Sequence, residues 1–223
     1  MMVKQQRAIR TRTAIMTAAA GIFEERGYRA ATISDILTAA NVTKGALYFH
    51  FSSKEELAQG ILREQDQHLP VPDRASKVQQ LTDTVLLHAH RLQHDPMVRA
   101  GVRLSLDREA QEVNRQGAFT HWGTVIRKLL EQAEAQGELL PHIHVAQTAD
   151  VLVGSFAGVQ AMSQVLSDYQ DILTRVTALL HHILPSTVLP PILATAEISP
   201  ARARTVADEL RQDSTHHHPE PAD

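Results

Sequence analysis

Cysteine is absent from the 223 residues, which excludes disulfide scaffolds, thiolate metal sites and cysteine nucleophiles. No run of about 18 consecutive apolar residues occurs, so a membrane-spanning helix is not expected. The opening stretch MMVKQQRAIRTRT is polar and basic, without an apolar core region or a small-residue cleavage site behind it. It does not read as a secretory signal. Strand signals are nearly missing, since nowhere do β-branched and polar residues alternate. Enzyme signatures are missing as well: there is no Gly-rich phosphate loop, no GxSxG elbow and no HExxH. Glu131 and Glu134 share a helical face, but Arg127 and Lys128 sit beside them and a solvated charged face explains the group. The expectation is a cytoplasmic helical protein that is not an enzyme, has no membrane partner, and has enough apolar residues, 43%, to bury a core.

Charge is present but unevenly spread. Residues 1–54 carry eight Lys and Arg against three acids, a net of +5, while the remaining 169 residues carry −8. A basic head on an acidic body fits a chain that meets a polyanion at one end. Apolar residues recur at three- and four-residue spacing throughout, which predicts an all-α fold. The first stripe is Ile9, Ala14, Ile15, Ala18, Ala19, Ile22 and Phe23, ending at Gly27. Thr32 is a good N-cap for a short helix that closes at Asn41, and Ser53 with Glu56 forms a capping box for another. That helix should fade near Leu69, where LPVPD supplies two prolines and the best candidate for a domain boundary in the residues themselves. Further helices are predicted at about 76–94, 96–107, 119–137, 145–166, 168–184 and 200–212, from the same periodicity. Residues 108–118 read as a loop, and the tail DSTHHHPEPAD has the composition of a disordered segment.

Within TISDILTAANVTKGALYFHF, two short helices at about 33–40 and 43–50 flank a tight turn at Asn41-Val42. That spacing is a helix-turn-helix, whose second helix enters the major groove with its N-terminal residues against base edges. Thr43 and Lys44 stand at that end, and Gly45 lets backbone approach DNA closely. Tyr48 and His50 offer polar tips to phosphate oxygens, and Lys54 adds another phosphate partner. Thr32 and Arg7 complete the candidate set, Arg7 together with Arg10 and Arg12 either tracking the DNA backbone or simply solvated. Leu47 and Phe51 are expected to pack inward against Ile22, Phe23 and Ile36, and Phe49 is expected in the core.

Residues 6–54, with the run VTKGALYFHFSSKEEL, resemble the DNA-binding domain of the TetR family of bacterial transcriptional regulators. The spelling is most similar to the γ-butyrolactone autoregulator receptors of streptomycetes. AIRTRTAI, VTKGALYFHF, RAGVRLSL at 99–106, FTHW at 119–122 and SFAGVQ at 155–160 carry that similarity over about residues 3–185. The resemblance implies an all-helical homodimer with an N-terminal three-helix head and a larger C-terminal regulatory domain. The corresponding division is a head at 1–53, a ligand-binding and dimerisation domain at 54–185, and a C-terminal extension at 186–223.

A helical domain with small residues at Gly101, Gly123, Gly154, Ala157 and Gly158 can leave an apolar cavity between its helices. Trp122, the sole tryptophan, offers a flat apolar wall and one N–H donor, and the resemblance aligns it with the receptors' ligand-lining residue. Gln65, Gln160 and Ser163 are the candidate polar partners, with Leu104, Val153 and Phe156 as walls. No cofactor is expected, and no metal. The pairs His142/His144 and His181-His182 and the triplet His216-His217-His218 lack an HxxxH spacing with a nearby carboxylate. The expected function is a repressor on a palindromic double-stranded DNA operator, released by a small γ-butyrolactone-type signal and controlling secondary metabolism. A butenolide, a furan or an antibiotic is the alternative ligand. The two most apolar late helices, at about 145–166 and 168–184, are the expected two-fold interface, and the helix at about 54–68 is expected to carry the ligand's effect to the head.

Overall fold

The computed structural model describes residues 2–67, 71–107 and 116–216. Among these residues there are eleven α-helices: α1 (Met2–Ala30), α2 (Ile33–Ala40), α3 (Lys44–His50), α4 (Lys54–Gln67), α5 (Lys77–His94), α6 (Pro96–Leu106), α7 (Gln116–Ala135), α8 (Val145–Ser167), α9 (Ile172–Ile183), α10 (Pro190–Leu193) and α11 (Pro200–His216). No strand forms among them; one isolated antiparallel bridge joins Leu139 to Val188. The all-α expectation holds, and most helix ends fall within a few residues of the periodicity. Three do not. α9 starts late because Asp168 and Tyr169 both adopt left-handed backbone, φ 48° and 64°, which breaks the chain after α8. α11 runs through Asp213–His216, the start of the segment read as disordered; residues 217–223 lie outside the described residues, as do 108–115 of the expected loop.

The chain divides into two compact units, residues 1–68 with 95–120, and residues 69–94 with 121–223. The expected division set the end of the head at residue 53. α4 and α6 belong with the head, because Leu57, Ala58, Ile61, Ala100 and Leu104 enter the same apolar cluster as Ile15, Phe23, Ile36, Leu47 and Phe51. The extension beyond 185 belongs to the second unit and is no appendage. Val206 and Ala207 of α11 pack with Val71 and Leu87.

In the first unit α1 bends at Gly27, whose φ of 78° disfavours any residue with a Cβ. The helix end there is pinned by α6. Arg99 pairs with the Glu24 carboxylate, Arg103 donates to the Glu24 carbonyl, and Asp107 accepts from the Tyr28 amide. Thr32 caps α2 in a full capping box with Asp35, and the Thr32 hydroxyl and amide hold the Asp35 carboxyl below its ordinary range. The Ser53 cap of α4 is present, but Glu56 reaches back to Ser52 rather than to Ser53, accepting from its amide and its hydroxyl. Ile9 is exposed and does not join the buried stripe of α1.

In the second unit α5 is buried from Leu81 through His90 without a solvent face. Its first turn is capped from a distance: the Glu138 carboxylate accepts from the amides of Lys77 and Val78 and from the Ser76 hydroxyl. An anionic acceptor at a helix N-terminus satisfies donors the helix itself leaves open. Asp83, fully buried on α5, accepts from Arg74 Nε at 2.8 Å and from Arg202 Nε and Nη2 at 2.8 and 2.7 Å, with Gln79 donating as a fourth partner at 2.7 Å. This network ties α11 to α5.

α8 has two faces. Ala149, Leu152, Gln160 and Ser163 are buried, whereas Val151, Met162, Val165 and Leu166 are exposed with Gly154 and Gly158 between them. The helix is long and apolar enough, by length and composition alone, to cross a membrane. Asp150, Gln160 and Ser163 interrupt its apolar run.

Candidate functional site

The head places α3 on a scaffold held from below. Leu47 is fully buried and Phe51 nearly so, in one apolar cluster with Ile22 and Phe23 of α1 and Ile36 of α2, as expected. Thr43 caps the helix, its hydroxyl accepting from the Ala46 amide at 3.2 Å. Thr43, Lys44 and Gly45 are all exposed, and a Cβ at Gly45 would meet nothing within 4 Å. The N-terminal end of α3 is therefore open to whatever it docks against. Tyr48 is exposed, and the Lys44 ammonium lies 5.9 Å from its ring centroid. His50 is half-buried, and Thr32 and Arg7 are exposed.

One assignment changes. Phe49 is 79% exposed and stacks edge-on against His50 with centroids 5.0 Å apart, so it is a surface residue of α3 and not part of the core. The helical period explains this: Leu47 and Phe51 take the inward positions, and Phe49 falls on the opposite side. Lys54 donates to the carbonyls of Tyr28 and Ala31 at 2.9 and 3.0 Å, with its ammonium 4.4 Å from the Tyr28 ring centroid. It tethers α4 to the end of α1. Arg12 likewise spreads its guanidinium over Phe51 at 5.2 Å.

In the second unit three helices bring aromatic rings together. His88 of α5 lies 4.4 Å from Trp122 of α7 and 5.3 Å from Phe156 of α8, centroid to centroid. Trp122, Val153 and Phe156 are half-buried, and Gln160, one turn beyond Phe156, is buried on the same side of α8. Four of the expected ligand residues thus belong to one unit, three of them on one helix. The other three stand as follows. Leu104 is in the apolar core of the head unit, Ser163 is bonded at a helix corner, and the Gln65 side chain lies outside the described residues. Ser163 donates to Asp171 at 2.6 Å and Ser167 does so at 2.7 Å, and these two hydroxyls, with the Arg175 guanidinium, hold the Asp171 carboxyl down to about 2.

His88 is the residue the sequence reading missed. Its Nδ1 is buried with no hydrogen-bond partner. Desolvation, reinforced by the nearby Arg91, pushes the imidazole down to about 3, so it is neutral at physiological pH. His90 and His94 do stand at the HxxxH spacing, their rings 4.2 Å apart. Among the described residues, however, no three metal-ligating side chains gather.

Comparison with known proteins places these features among relatives. The family model for bacterial regulatory proteins of the tetR family matches residues 15–61, spanning α2, α3 and the tether at Lys54. The A-factor receptor protein of Streptomyces griseus is 38% identical over 211 residues, covering 95% of this chain and 75% of its own. The crystal structure of full-length native TylP, a TetR regulator from Streptomyces fradiae, matches with a TM-score of 0.82 at 42% identity, covering 94% of this chain and 93% of its own. A γ-butyrolactone receptor described as ArpA-like matches with a TM-score of 0.67 at 30% identity, covering 93% of this chain and 99% of its own.

Proposed function

The chain belongs to the tetR family of bacterial regulatory proteins, and from that premise we propose that it is a homodimeric repressor that leaves a palindromic operator when a γ-butyrolactone-type signal binds its second unit. DNA-binding regulation follows from the family; the ligand, the operator symmetry and control of secondary metabolism are the proposal. Its site of action is the cytoplasm. The observation that carries the DNA half is the open N-terminal end of α3, with Thr43, Lys44, Gly45 and Tyr48 presented outward from a rigidly packed helix. Lys44 is placed to reach a guanine edge or a phosphate, and the polar tip of Tyr48 suits a phosphate oxygen.

Symmetry supports the dimer. Two copies of α3 about 34–36 Å apart would read two half-sites one helical turn apart. The outer face of α8, with Val151, Met162, Val165 and Leu166 exposed, is the apolar surface such a pairing would cover. Gly154 and Gly158 on that face would let a second backbone approach, since nothing lies within 4 Å of a Cβ at either position.

The ligand half rests on the cluster of Trp122, Phe156, Val153 and Gln160, apolar walls with one buried amide. Relatives named for A-factor and for γ-butyrolactone reception support that class of molecule. Release requires the ligand to favour the state with low operator affinity, and moving the population from 1:99 to 99:1 takes about 5.5 kcal/mol of differential binding.

A gel shift on DNA upstream of the protein's own gene, with and without a panel of γ-butyrolactones, butenolides, furans and antibiotics, tests both halves. A shift released by a γ-butyrolactone is the expected result. Release only by another member of the panel keeps the repressor and replaces the ligand. A shift released by none removes the lactone. Absence of binding there and across the genome removes the repressor. Trp122→Ala is expected to bind the operator normally and to lose release; normal release by this variant places the ligand elsewhere.

A further inference from the structure

We infer that His88 is the specificity-determining hydrogen-bonding residue of the ligand site, and that it selects an uncharged, oxygen-bearing ring compound over an anionic one. The inference rests on the ligand reading above and deepens it. A polar side chain inside a helix buried on every side needs a partner, because a hydrogen-bonding group taken from water and left unmade costs about 1–3 kcal/mol. Asp83, five residues earlier on α5, has its partners in Arg74, Arg202 and Gln79. The buried Thr84 hydroxyl, one turn before His88, donates to the Gln80 carbonyl at 2.7 Å. His88 has none of this. Its Nδ1 is unpaired, and the rings within stacking reach, Trp122 and Phe156, supply apolar faces.

Two other buried polar groups of α5 are also unpaired, the Thr82 hydroxyl and His90 Nδ1. His88 differs in its company. The rings beside it come from two other helices, and one of them, Trp122, is only half-buried. Rotation of that indole would open the imidazole edge to a ligand without disturbing the close-packed remainder of α5.

The chemistry of the selection follows from charge. A neutral imidazole presents one donor and one acceptor, which suits a lactone carbonyl or a ring hydroxyl. The second polar group on this side, Gln160, is a neutral amide. Neither carries a charge to meet a carboxylate, and Arg91, the cation on α5 whose field reaches His88, has an interaction of its own; a buried carboxylate without a cationic partner is strongly disfavoured. A ring-opened hydroxy acid should therefore bind far less well than its closed lactone.

The test uses the full-length protein and three matched probes: an alkyl-substituted γ-butyrolactone, its ring-opened carboxylate, and the cyclopentane with the same alkyl chain. Binding is read by fluorescence of the single tryptophan and by release of operator DNA. Wild type should bind the lactone about 10-fold or more tighter than either other probe, the discrimination one buried hydrogen bond gives. His88→Leu should lose that preference while its cyclopentane affinity is kept, and His88→Gln should restore part of it. Operator affinity, which a misfolded variant would lose, should match wild type in both. Lactone preference surviving intact in His88→Leu overturns the role of His88 and leaves the lactone reading standing. Carboxylate bound as tightly as lactone by wild type overturns the selection for neutral ligands. Wild type that neither binds the lactone nor is released by it overturns the lactone reading and this inference together. A His88→Leu variant too unstable to bind operator shifts the decision to His88→Gln against His88→Asn, and equal lactone affinity in wild type and both variants overturns the inference.

Discussion

Acid should destabilise this protein in a way that one substitution removes. His88 sits among Trp122 and Phe156 with its imidazole pushed down to about 3 by desolvation first and by Arg91 second. The unfolded chain holds the same group at its ordinary value of 6.5. Between these two values the unfolded state binds a proton that the folded state refuses. The stability present above pH 6.5 is therefore lost as pH falls toward 3. Across the whole window the loss approaches about 5 kcal/mol, taking 1.36 kcal/mol per unit of difference. Between pH 7.5 and pH 5.0 it is about 2 kcal/mol, since at pH 5.0 the unfolded imidazole is already mostly protonated.

The assay is urea unfolding of wild type and His88→Leu at both pH values and one fixed protein concentration. His90, lowered by burial first and by His94 next, contributes to both proteins and cancels in the difference. Wild type should lose about 2 kcal/mol more than the variant on going to pH 5.0. Parallel losses in the two proteins would refute the reasoning. They would mean that His88 finds water or a partner in the folded protein and is not the sealed, neutral group described above.

Other perturbations separate the parts. Lys44→Ala should weaken operator binding and lower its salt dependence by about one counterion while leaving ligand affinity unchanged, read by gel shift across salt concentrations; an unchanged salt slope refutes the contact. Phe49→Ala should cost under about 0.5 kcal/mol of stability, because the ring is exposed, and about 1 kcal/mol or more of operator affinity if it meets a thymine methyl. Equal operator affinity would leave Phe49 without a role. Asp83→Asn removes the buried carboxylate shared by Arg74 and Arg202, which keep Glu209 and Glu197 as partners, and should destabilise the second unit by about 2 kcal/mol in urea unfolding; a loss under about 1 kcal/mol would show that the network adds little.

The elements legible in the sequence are those with one wet and one dry side. α2, α3 and α6 show their caps and apolar stripes in the residues themselves, with Thr32, Thr43 and Asp95 at the N-caps. What sequence missed follows a different logic. Lys54 looks like any basic residue near a helix-turn-helix, and only the fold turns its ammonium onto the carbonyls that end α1. Leu104 reads equally well as a ligand wall or as core, and its place is decided by α6 packing under α1. Phe49 was legible in principle, because positions 47 and 51 of one helix already fix which side is inward.

α5 defeats pattern reading for a reason that bears on function. Periodicity separates faces when one of them is wet, and from Leu81 through His90 this helix has no wet face. Asp83 and His88 would pass for surface positions in the sequence, yet both are buried. Their environments then diverge. Two guanidiniums, one from the segment before α5 and one from α11, close around Asp83, which makes it an anchor for a C-terminal helix that sequence leaves without a role. Around His88 the neighbouring rings bring no hydrogen-bonding partner for Nδ1. A satisfied buried charge holds a fold together, whereas an unsatisfied neutral group is the place where a ligand's hydrogen bond gains most. By that contrast the acid-lability of the fold and the selectivity of the site both turn on the imidazole beside Trp122.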